Sequence, residues 1–154
     1  MAAVSVYPMI EYADAVPRIA AWFHKEWRSL YGDETQASVQ KRIETWLTRR
    51  QIPTAFVAVS DDQVVATVAL KENELAKLPH SPWLAGLFVL PEFRRQGIGT
   101  LLAETAEREA VSLGVERLWL CTAATQPFYA RLGWSVAEHC QLPSGAIVVM
   151  SKRL

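Results

Sequence analysis

The middle of the chain constrains its fold most strongly, because a buried strand, a glycine-containing turn and an amphipathic helix follow one another there. Residues 83–90 (WLAGLFVL) are a nearly continuous apolar run of strand length, which is typical of a strand buried on both faces. Pro91 ends this strand, and apolar residues recur on one side of a helix between Gly97 and Gly114. Residues 116–122 (ERLWLCT) are predicted as the next strand, parallel to the first, because a helical crossover joins parallel strands.

Periodicity on either side of this unit predicts the remaining elements. Helices are expected over residues 15–30, 35–50 and 126–132, an antiparallel hairpin over 54–60 and 64–71, and strands over 134–140 and 147–152. Asp14 is the expected N-cap of the first helix, Gly32 ends it, and residues 71–82 are expected to form an exposed loop. This order predicts a single α/β domain over residues 1–154, with a mixed sheet of roughly six to seven strands.

Composition and charge exclude several classes of protein. Hydrophobic residues make up 51% of the chain and charged residues 21%, as in an ordinary globular domain and unlike a disordered or fibrous chain. The 16 basic and 16 acidic residues cancel, so the chain lacks the basic excess of a nucleic-acid-binding protein. Its 2 cysteines are too few for a disulfide framework, and its 3 histidines lack the spacing of metal ligands. We therefore expect no nucleic-acid partner and no metal.

No targeting segment is expected from the sequence. Its first residues lack the basic start and apolar centre of a signal peptide. The longest apolar run, residues 83–90, is far shorter than the roughly 20 residues of a membrane span. A cytoplasmic protein without a membrane partner is expected.

The turn between strand and helix, PEFRRQGIGT, has the composition of an anion-binding loop. Gly97 and Gly99 allow backbone N–H groups to turn inward, and the following helix adds its positive N-terminal end, so the loop suits a pyrophosphate. Arg94 and Arg95 can add charge-assisted contacts to phosphate oxygens. The alternative is that these glycines only permit a tight turn between the strand and the helix.

Two other nucleotide-binding motifs do not match this loop. A Walker loop needs lysine directly after its second glycine, and here Thr100 follows Gly99. A dinucleotide-binding fingerprint needs a third glycine where this chain has Leu102. The pattern that does match is arginine/glutamine-x-x-glycine-x-glycine/alanine, which Arg94, Gly97 and Gly99 satisfy.

Together with a second stretch, WLCTAATQPFYARLGW, this loop resembles the GCN5-related N-acetyltransferase (GNAT) superfamily. The resemblance extends in element order over most of the chain from about Val4 onward. It implies a GNAT-like fold in which two central parallel strands splay apart and helices cover both faces of the sheet. It also implies an acyltransferase that uses acetyl-coenzyme A (acetyl-CoA) as co-substrate and acetylates a primary amine.

The resemblance assigns binding roles along the splayed strand and the loop. Backbone groups of residues 87–89 would hold the pantetheine arm, with the Val89 N–H directed at the thioester oxygen and Gly86 permitting a bulge. Amides of residues 95–100 would hold the pyrophosphate, and Thr122 stands where many family members carry an asparagine that holds the arm. The implied acetyl-CoA-binding residues are Leu87, Phe88, Val89, Arg94, Arg95, Gln96, Gly97, Ile98, Gly99, Thr100 and Thr122.

The resemblance also makes Tyr129, in FYARLGW, the catalytic general acid that protonates the departing coenzyme A thiolate. A phenol can donate one hydrogen bond and, next to a thiolate, one proton. The alternative is a core tyrosine whose hydroxyl is satisfied elsewhere. Cys121 lies in a predicted buried strand without a nearby histidine, so we expect direct transfer in a ternary complex rather than an acetyl-cysteine intermediate.

The acceptor side is less constrained by the sequence. Candidates for the group that takes the amine proton, which a water chain could also accept, are Glu72, Glu74, His80, His24 and Glu26. Trp83 is expected as a wall of the acceptor pocket, whereas Trp22 and Trp46 fall on apolar helix faces and are expected in the core. A small amine and a peptide N-terminus are both open as acceptors.

Three functional alternatives and two assembly states are compatible with the sequence. The alternatives to acetylation of a small amine are a longer acyl group, a protein N-terminus as acceptor, and a non-catalytic coenzyme A-binding module, which Tyr129 argues against. Residues 147–150 (IVVM) could form an apolar edge strand that pairs in a homodimer, or they could equally be internal; a monomer and a homodimer are both open.

Overall fold

The computed structural model describes residues 3–75 and 78–154, which form one mixed sheet with helices on both faces. The strands are β1 (Val4–Pro8), β2 (Thr54–Ser60), β3 (Gln63–Lys71), β4 (Trp83–Val89), β5 (Arg117–Thr122), β6 (Ser135–Leu142) and β7 (Gly145–Arg153). The helices are α1 (Val16–Glu26), α2 (Arg28–Tyr31), α3 (Gln36–Glu44), α4 (Ile98–Ser112) and α5 (Gln126–Arg131). In these residues the sheet has seven strands in the order β1-β2-β3-β4-β5-β7-β6.

One pair of neighbouring strands, β4 and β5, is parallel, and the other pairs are antiparallel. These two strands precede and follow α4 in the chain, so the predicted strand-helix-strand crossover is confirmed. Successive strand residues point to opposite faces. On β2, accordingly, Ala58 packs in a core with α4 and α5, whereas Val57 and Val59 pack in a second core with α1 and α3. The predicted α/β fold with helices on both faces is confirmed.

The first predicted helix is interrupted and begins differently from expectation. A 3₁₀ segment, Met9–Ala15, precedes α1, and Ala15 is its N-cap, so the prediction of Asp14 as the cap was wrong. Trp27, with φ −113° and ψ 29°, separates α1 from α2. Its ring lies edge-on to Phe88 of β4 at 6.2 Å between centroids, a tertiary contact that helical periodicity does not report.

The second predicted helix ends at Glu44 rather than near residue 50. Thr48 Oγ1 donates to the Pro53 carbonyl oxygen at 2.6 Å, and Thr54 Oγ1 donates to the Thr48 carbonyl oxygen at 3.0 Å. These bonds fold the segment back towards the start of β2, so it cannot continue as a helix. In the predicted loop over residues 71–82, Ala76 and Lys77 lie outside the described residues.

The positions in the sheet of two strands, β1 and β7, were not predicted from the sequence. The edge strand β1 was not predicted as a separate element, because its five residues show no clear alternation; it pairs with β2 from Val4 opposite Ser60. The segment over residues 147–150 belongs to β7, which lies between β5 and β6. Of the two possibilities for this segment, the internal strand is therefore correct, and β6 is the edge strand opposite β1.

Candidate active site

The parallel strands β4 and β5 are joined only at their beginnings, which opens the sheet between them. In the described residues their register consists of one pair, Trp83 opposite Trp119, and the Trp119 N–H donates to the Pro82 carbonyl oxygen at 3.1 Å. Beyond this pair, the edge of β4 that faces β5 is free of strand partners. We call the resulting opening between β4 and β5 the slot; it is the splay that the resemblance implied.

The hydrogen-bond pattern on β4 directs the Val89 N–H into this slot. The Leu90 N–H donates to the Val65 carbonyl oxygen at 2.9 Å, on the side of β3. Adjacent residues of a strand direct their N–H groups to opposite sides, and Val89 lies opposite Ala66 as a pair without mutual hydrogen bonds. The Val89 N–H therefore points away from β3, as the predicted role of this amide requires.

A β-bulge at Gly86 reshapes β4 beside the slot. Ala85 and Phe88 pair with residues of β3 that are two apart, so Gly86 and Leu87 together face a single residue. Gly86 has φ +59°, and Thr67 Oγ1 donates to its carbonyl oxygen at 2.8 Å. The bulge expected at Gly86 is therefore present, and a hydrogen bond from the neighbouring strand holds it.

Replacing Gly86 with alanine should lower the free energy of unfolding by about 1–2 kcal/mol. A left-handed φ is costly for a residue with a Cβ, and a Cβ here would lie 3.3 Å from Phe23 Cζ. Gly114→Ala is the matched control, because Gly114 has φ +83° but nothing within 4 Å of such a Cβ. Urea unfolding measures both variants, and an equal loss in the two would contradict a contribution from the Phe23 contact.

The glycine loop follows β4 and leads directly into α4. Gly97, at φ +81°, is the N-cap residue, and its carbonyl oxygen accepts a hydrogen bond from the Leu101 N–H at 3.0 Å. The N–H groups of the first turn have no acceptor within the helix, and this turn carries no acidic residue. Ile98 is buried and anchors the turn, whereas residues 94–97 are exposed. The loop thus presents backbone donors at the positive end of a helix.

Arg94 is attached to the end of β4. Its Nε donates to the Val89 carbonyl oxygen at 2.9 Å, and its guanidinium carbon lies 5.6 Å from the centroid of the Phe88 ring. Arg94 therefore fixes the backbone where the strand enters the loop, and its terminal nitrogens are the part that can reach a phosphate. Arg95, at φ +62°, and Gln96 are exposed on the loop.

The second predicted motif meets this loop through Phe128. A Cβ built on Gly99 would lie 3.3 Å from Phe128 Cζ and 4.0 Å from Val89 Cγ2. Gly99 therefore allows the end of β4, the first turn of α4 and the helix α5 to approach one another closely. Sequence reasoning missed this role of Phe128, for which the chain offers no signal beyond its place before Tyr129.

Tyr129 lies within α5 and is 8% exposed. Its ring packs edge-on against Phe128 and Trp134, at 5.0 and 6.2 Å between centroids. Burial raises the pKa of Tyr129 to about 12, the neighbouring Cys121 adds to the increase, and a hydrogen bond with Thr125 opposes it. The phenol therefore keeps its proton at neutral pH, which a proton donor must do.

Two threonines close the turn between β5 and α5. The hydroxyl oxygens of Thr122 and Thr125 lie 2.7 Å apart, and the Thr125 N–H donates to Thr122 Oγ1 at 3.0 Å. A hydroxyl has one donor and two acceptor positions, so Thr122 retains one further hydrogen bond for a ligand. This residue, predicted to help hold the pantetheine arm, thus also shapes the approach to Tyr129.

The Cys121 thiol is half-buried on β5. Desolvation raises the pKa of Cys121 to about 12; the charge of Glu74 adds to the increase, and that of Lys71 opposes it. A thiol that stays protonated is a weak nucleophile, so the raised pKa argues against an acetyl-cysteine intermediate.

Alkylation of Cys121 by iodoacetamide should be at least about tenfold slower at pH 8 than alkylation of glutathione, because so little thiolate is present. The rate should rise about tenfold per pH unit up to pH 11, since the thiol ionises only near pH 12. Mass spectrometry of quenched samples in a Cys140→Ser background measures this rate. A plateau below pH 10 would contradict the raised pKa.

Aromatic rings border β4 on the face that carries α1. Trp22 stacks on Phe88 at 5.6 Å between centroids, and Trp27 lies edge-on to Phe88 at 6.2 Å. Trp83 does not belong to this group: it is fully buried, and its indole N–H donates to the His80 carbonyl oxygen at 2.6 Å. The prediction of Trp83 as a pocket wall was wrong, because this residue lies where β4 and β5 are still paired.

Among the candidate bases, Glu74 is the carboxylate whose charge acts on Cys121 of β5. It is half-buried, and Lys71 Nζ donates to its Oε1 at 3.1 Å. The same ammonium lies 5.7 Å from the ring of Trp46, which is in the core as predicted. Two other candidates are exposed carboxylates, Glu26 and Glu72.

Both histidine candidates have structural partners. His80 stacks on Trp119 at 3.7 Å between centroids, and its Nε2 lies 2.7 Å from Glu138 Oε1. His24 Nε2 lies 2.9 Å from the Glu34 carbonyl oxygen. These contacts anchor both histidines to the fold, as the ion pair with Lys71 anchors Glu74.

Other features of the described residues lie apart from the slot. No helix among them is long and apolar enough to cross a membrane, and they contain no group of three His, Cys, Asp or Glu that could hold a metal ion. A surface depression of about 470 Å³ lies between the 3₁₀ segment and the β2–β3 turn, and it shares no residue with the slot or the loop.

Comparison with known proteins assigns this arrangement to a class. Residues 16–134 match the profile of the acetyltransferase (GNAT) family, and the chain belongs to that family. The matched part includes the splayed strand β4, the glycine loop and Tyr129. The predicted family and the predicted enzyme class, an acetyltransferase, are thereby confirmed.

Individual relatives show how widely this fold is used. An amino-acid acetyltransferase of Pasteurella multocida is 29% identical over 83 residues, which are 54% of this chain and 18% of that protein, so this chain spans less than a fifth of the relative. An aminoglycoside 6'-N-acetyltransferase complexed with coenzyme A superposes with a TM-score of 0.77 at 18% identity, covering 98% of this chain and 96% of that one. The N-acetylglutamate synthase of Neisseria gonorrhoeae, complexed with coenzyme A and N-acetyl-glutamate, has a TM-score of 0.68 at 19% identity, covering 100% and 36%. These likenesses show the GNAT fold.

Proposed function

We propose that this chain transfers the acetyl group of acetyl-CoA directly to a primary amine in a ternary complex. The observation that carries the proposal is the meeting of the free edge of β4, the first turn of α4 and the helix of Tyr129 around Gly99. They supply, at one place, a groove for an extended arm, an anion-binding helix end and a proton donor. Acetyl-CoA has the matching parts: a pantetheine arm, a pyrophosphate and a thiolate leaving group.

The chain's own residues fit this co-substrate. The free edge of β4 over residues 87–89 can hydrogen-bond an extended amide-containing arm as a further strand would. Thr122, on β5 across the slot, is proposed to bind the same arm with its remaining hydrogen bond. Amides of residues 95–100 and the positive helix end hold the pyrophosphate, and Arg94 and Arg95 add charge.

In the proposed reaction the amine nitrogen attacks the thioester carbonyl carbon, a C–N bond forms and the C–S bond breaks. The Val89 N–H stabilises the negative charge on the carbonyl oxygen, and Tyr129 donates its proton to the departing thiolate. The proton that the amine loses, to Glu74 or to water, balances the proton that the thiol gains. Cys121 takes no part, and Cys121→Ser is expected to keep turnover within about twofold of wild type.

The acceptor is proposed to approach from the face of the sheet that carries α1 and α3, because half-buried aromatic and charged side chains lie there beside the slot. On this face the half-buried rings of Trp22 and Trp27 and the Lys71–Glu74 pair lie near β4 and β5. The named relatives act on amino acids and aminoglycosides, whose common chemical feature is a primary amine. Small primary amines are therefore the proposed acceptors.

Thiol release from acetyl-CoA, measured with a panel of acceptors, tests the proposal. The panel contains amino acids, aminoglycosides, polyamines and peptides with free N-termini, and mass spectrometry identifies the acetylated product. Amine-dependent release is expected with at least one small amine, and release with peptides alone would favour a protein N-terminus instead. Calorimetric binding of acetyl-CoA without release for any amine would indicate a non-catalytic binding module, and no binding would overturn the proposal.

A further inference from the structure

Lys152 connects three elements, one of which is the helix that carries Tyr129. It lies on β7, and its Nζ donates to the Leu132 carbonyl oxygen at 2.7 Å and to Glu107 Oε1 at 2.6 Å. Leu132 is the C-cap residue of α5, and Glu107 lies on α4. One ammonium group thus joins the sheet, the helix whose first turn forms the anion site, and the helix of the proposed acid.

This ion pair is largely enclosed by the fold. The side chains of Lys152 and Glu107 are 25% and 13% exposed, and Glu107 Oε2 is buried without a hydrogen-bond partner among the described residues. A Cβ on Gly133 would lie 3.4 Å from Lys152 Cε, so the lysine stem packs closely against the backbone that follows α5. Exposed ion pairs fix little, because long side chains move freely in water, whereas this ammonium is held on several sides.

The helix α5 depends on such contacts for its orientation. It has six residues, too few for a helix to be stable without tertiary contacts. At its start the Thr122–Thr125 turn holds it, and at its end Lys152 holds the Leu132 carbonyl. The Leu132 N–H in turn donates to the Tyr129 carbonyl oxygen at 2.9 Å, so a shift of Leu132 is passed directly to the backbone of Tyr129.

We propose that Lys152 is a positioning residue that fixes the Tyr129 phenol relative to the anion-binding end of α4. The inference rests on the proposed function, in which Tyr129 protonates the thiolate. The first turn of α4 holds the pyrophosphate at one end of the co-substrate, and Tyr129 of α5 must reach the thiolate at the other end. The distance and angle between α4 and α5 must therefore stay fixed for the proton to be delivered. Misplacement of a reacting group by about 1 Å can lower a rate by up to a hundredfold.

Four enzymes test the inference: wild type, Lys152→Met, Tyr129→Phe and the double variant. Lys152→Met is expected to lower kcat about tenfold and to leave the Kd of acetyl-CoA within twofold, because the anion site itself is unchanged. In the Tyr129→Phe background the same change is expected to have no further effect on kcat, since the proton donor is already absent. A merely structural role would lower the rate in both backgrounds alike.

The outcomes separate the inference from the proposed function. If Tyr129→Phe keeps full turnover, the assignment of the acid is wrong and the inference falls with it. If Tyr129→Phe loses turnover but Lys152→Met keeps kcat, or lowers it equally in both backgrounds, the inference is overturned and the acid assignment stands.

Lys152→Met leaves Glu107 buried without its partner, and this unpaired charge could prevent folding. One further variant keeps the test valid in that case, and a second serves as a control. Glu107→Gln/Lys152→Met removes both charges, and it is expected to show the same kcat loss with the same dependence on Tyr129. Arg49→Met breaks the exposed Arg49–Glu11 ion pair, whose atoms lie 2.8 Å apart, and is expected to leave kcat and Kd unchanged. Thermal unfolding verifies that each variant compared is folded.

Discussion

Replacing Tyr129 with phenylalanine is expected to lower kcat at least about tenfold while the affinity for acetyl-CoA stays within about twofold. Without the phenol, the thiolate must leave unprotonated or take its proton from water, and both are slower. Binding is spared because the arm and the pyrophosphate are assigned to β4 and to the loop, and the tyrosine ring, which packs against Phe128 and Trp134, is kept by phenylalanine. Thiol release measures kcat, and calorimetry measures Kd.

Tyr7→Phe is the matched control, since Tyr7 also packs against an aromatic ring, that of Tyr12, but lies on the edge strand β1. It is expected to leave both kcat and Kd unchanged. Unchanged turnover in Tyr129→Phe would remove the acid from the mechanism.

The raised pKa of Tyr129 also sets the sign of the pH dependence. The phenol is the active form as a donor, and it is fully protonated below its pKa of about 12. Ionisation of Tyr129 therefore lowers the rate only as pH rises towards 12, and any alkaline decline below pH 10 arises from another group. A decline in rate near pH 9 that is present in wild type and absent in Tyr129→Phe would contradict this expectation.

The parts of the site that depend on local sequence could be predicted well. The loop needed two glycines beside a helix start, and Gly97 is indeed the N-cap at φ +81°, with Ile98 buried behind it. The strand over residues 83–90 was evident from its apolar run, and it ends one residue earlier, at Val89. These features follow from neighbours in the chain, which periodicity and turn chemistry report.

The parts that depend on distant residues could not be predicted. Lys152 and Glu107 are 45 positions apart, and no local pattern marks a lysine near the end of a strand as the partner of a helix terminus. The end of α3 was missed because Thr48 bonds to Pro53, beyond the predicted helix. Trp83 was misassigned because its distance from the open part of the slot depends on the register with Trp119.

The family likewise defines the reaction more closely than the acceptor. The loop and Tyr129 are the parts proposed to act on the co-substrate, which acetyl-CoA-dependent enzymes share, so their residues follow a common pattern. The side chains on the face proposed for the acceptor, such as Trp22 and Glu74, come from α1, β3 and the loop before β4, and these elements are brought together only by the fold. An amine panel is therefore more informative than further sequence comparison.

Changing both loop glycines to aspartate is expected to weaken acetyl-CoA binding at least a hundredfold, about 2.8 kcal/mol. An aspartate at the N-cap of α4 would accept hydrogen bonds from the N–H groups assigned to the pyrophosphate, and its charge would repel the phosphates. At Gly99 a side chain would in addition meet Phe128 at 3.3 Å and push α5 away. Gly97→Asp alone separates the two effects, because nothing lies within 4 Å of a Cβ at Gly97.

Calorimetric titration of acetyl-CoA into wild type, Gly97→Asp and Gly97→Asp/Gly99→Asp measures the loss. Gly114→Asp, at φ +83° just beyond the opposite end of α4, adds the same charge under the same backbone strain, and it is expected to leave Kd within about twofold. Gly97→Asn keeps the shape of the aspartate side chain and removes its charge. The difference in acetyl-CoA affinity between Gly97→Asn and Gly97→Asp therefore gives the electrostatic part of the loss. If the double aspartate variant stayed folded and bound acetyl-CoA as wild type does, the pyrophosphate would have to lie elsewhere, and the loop would be a turn without a binding role.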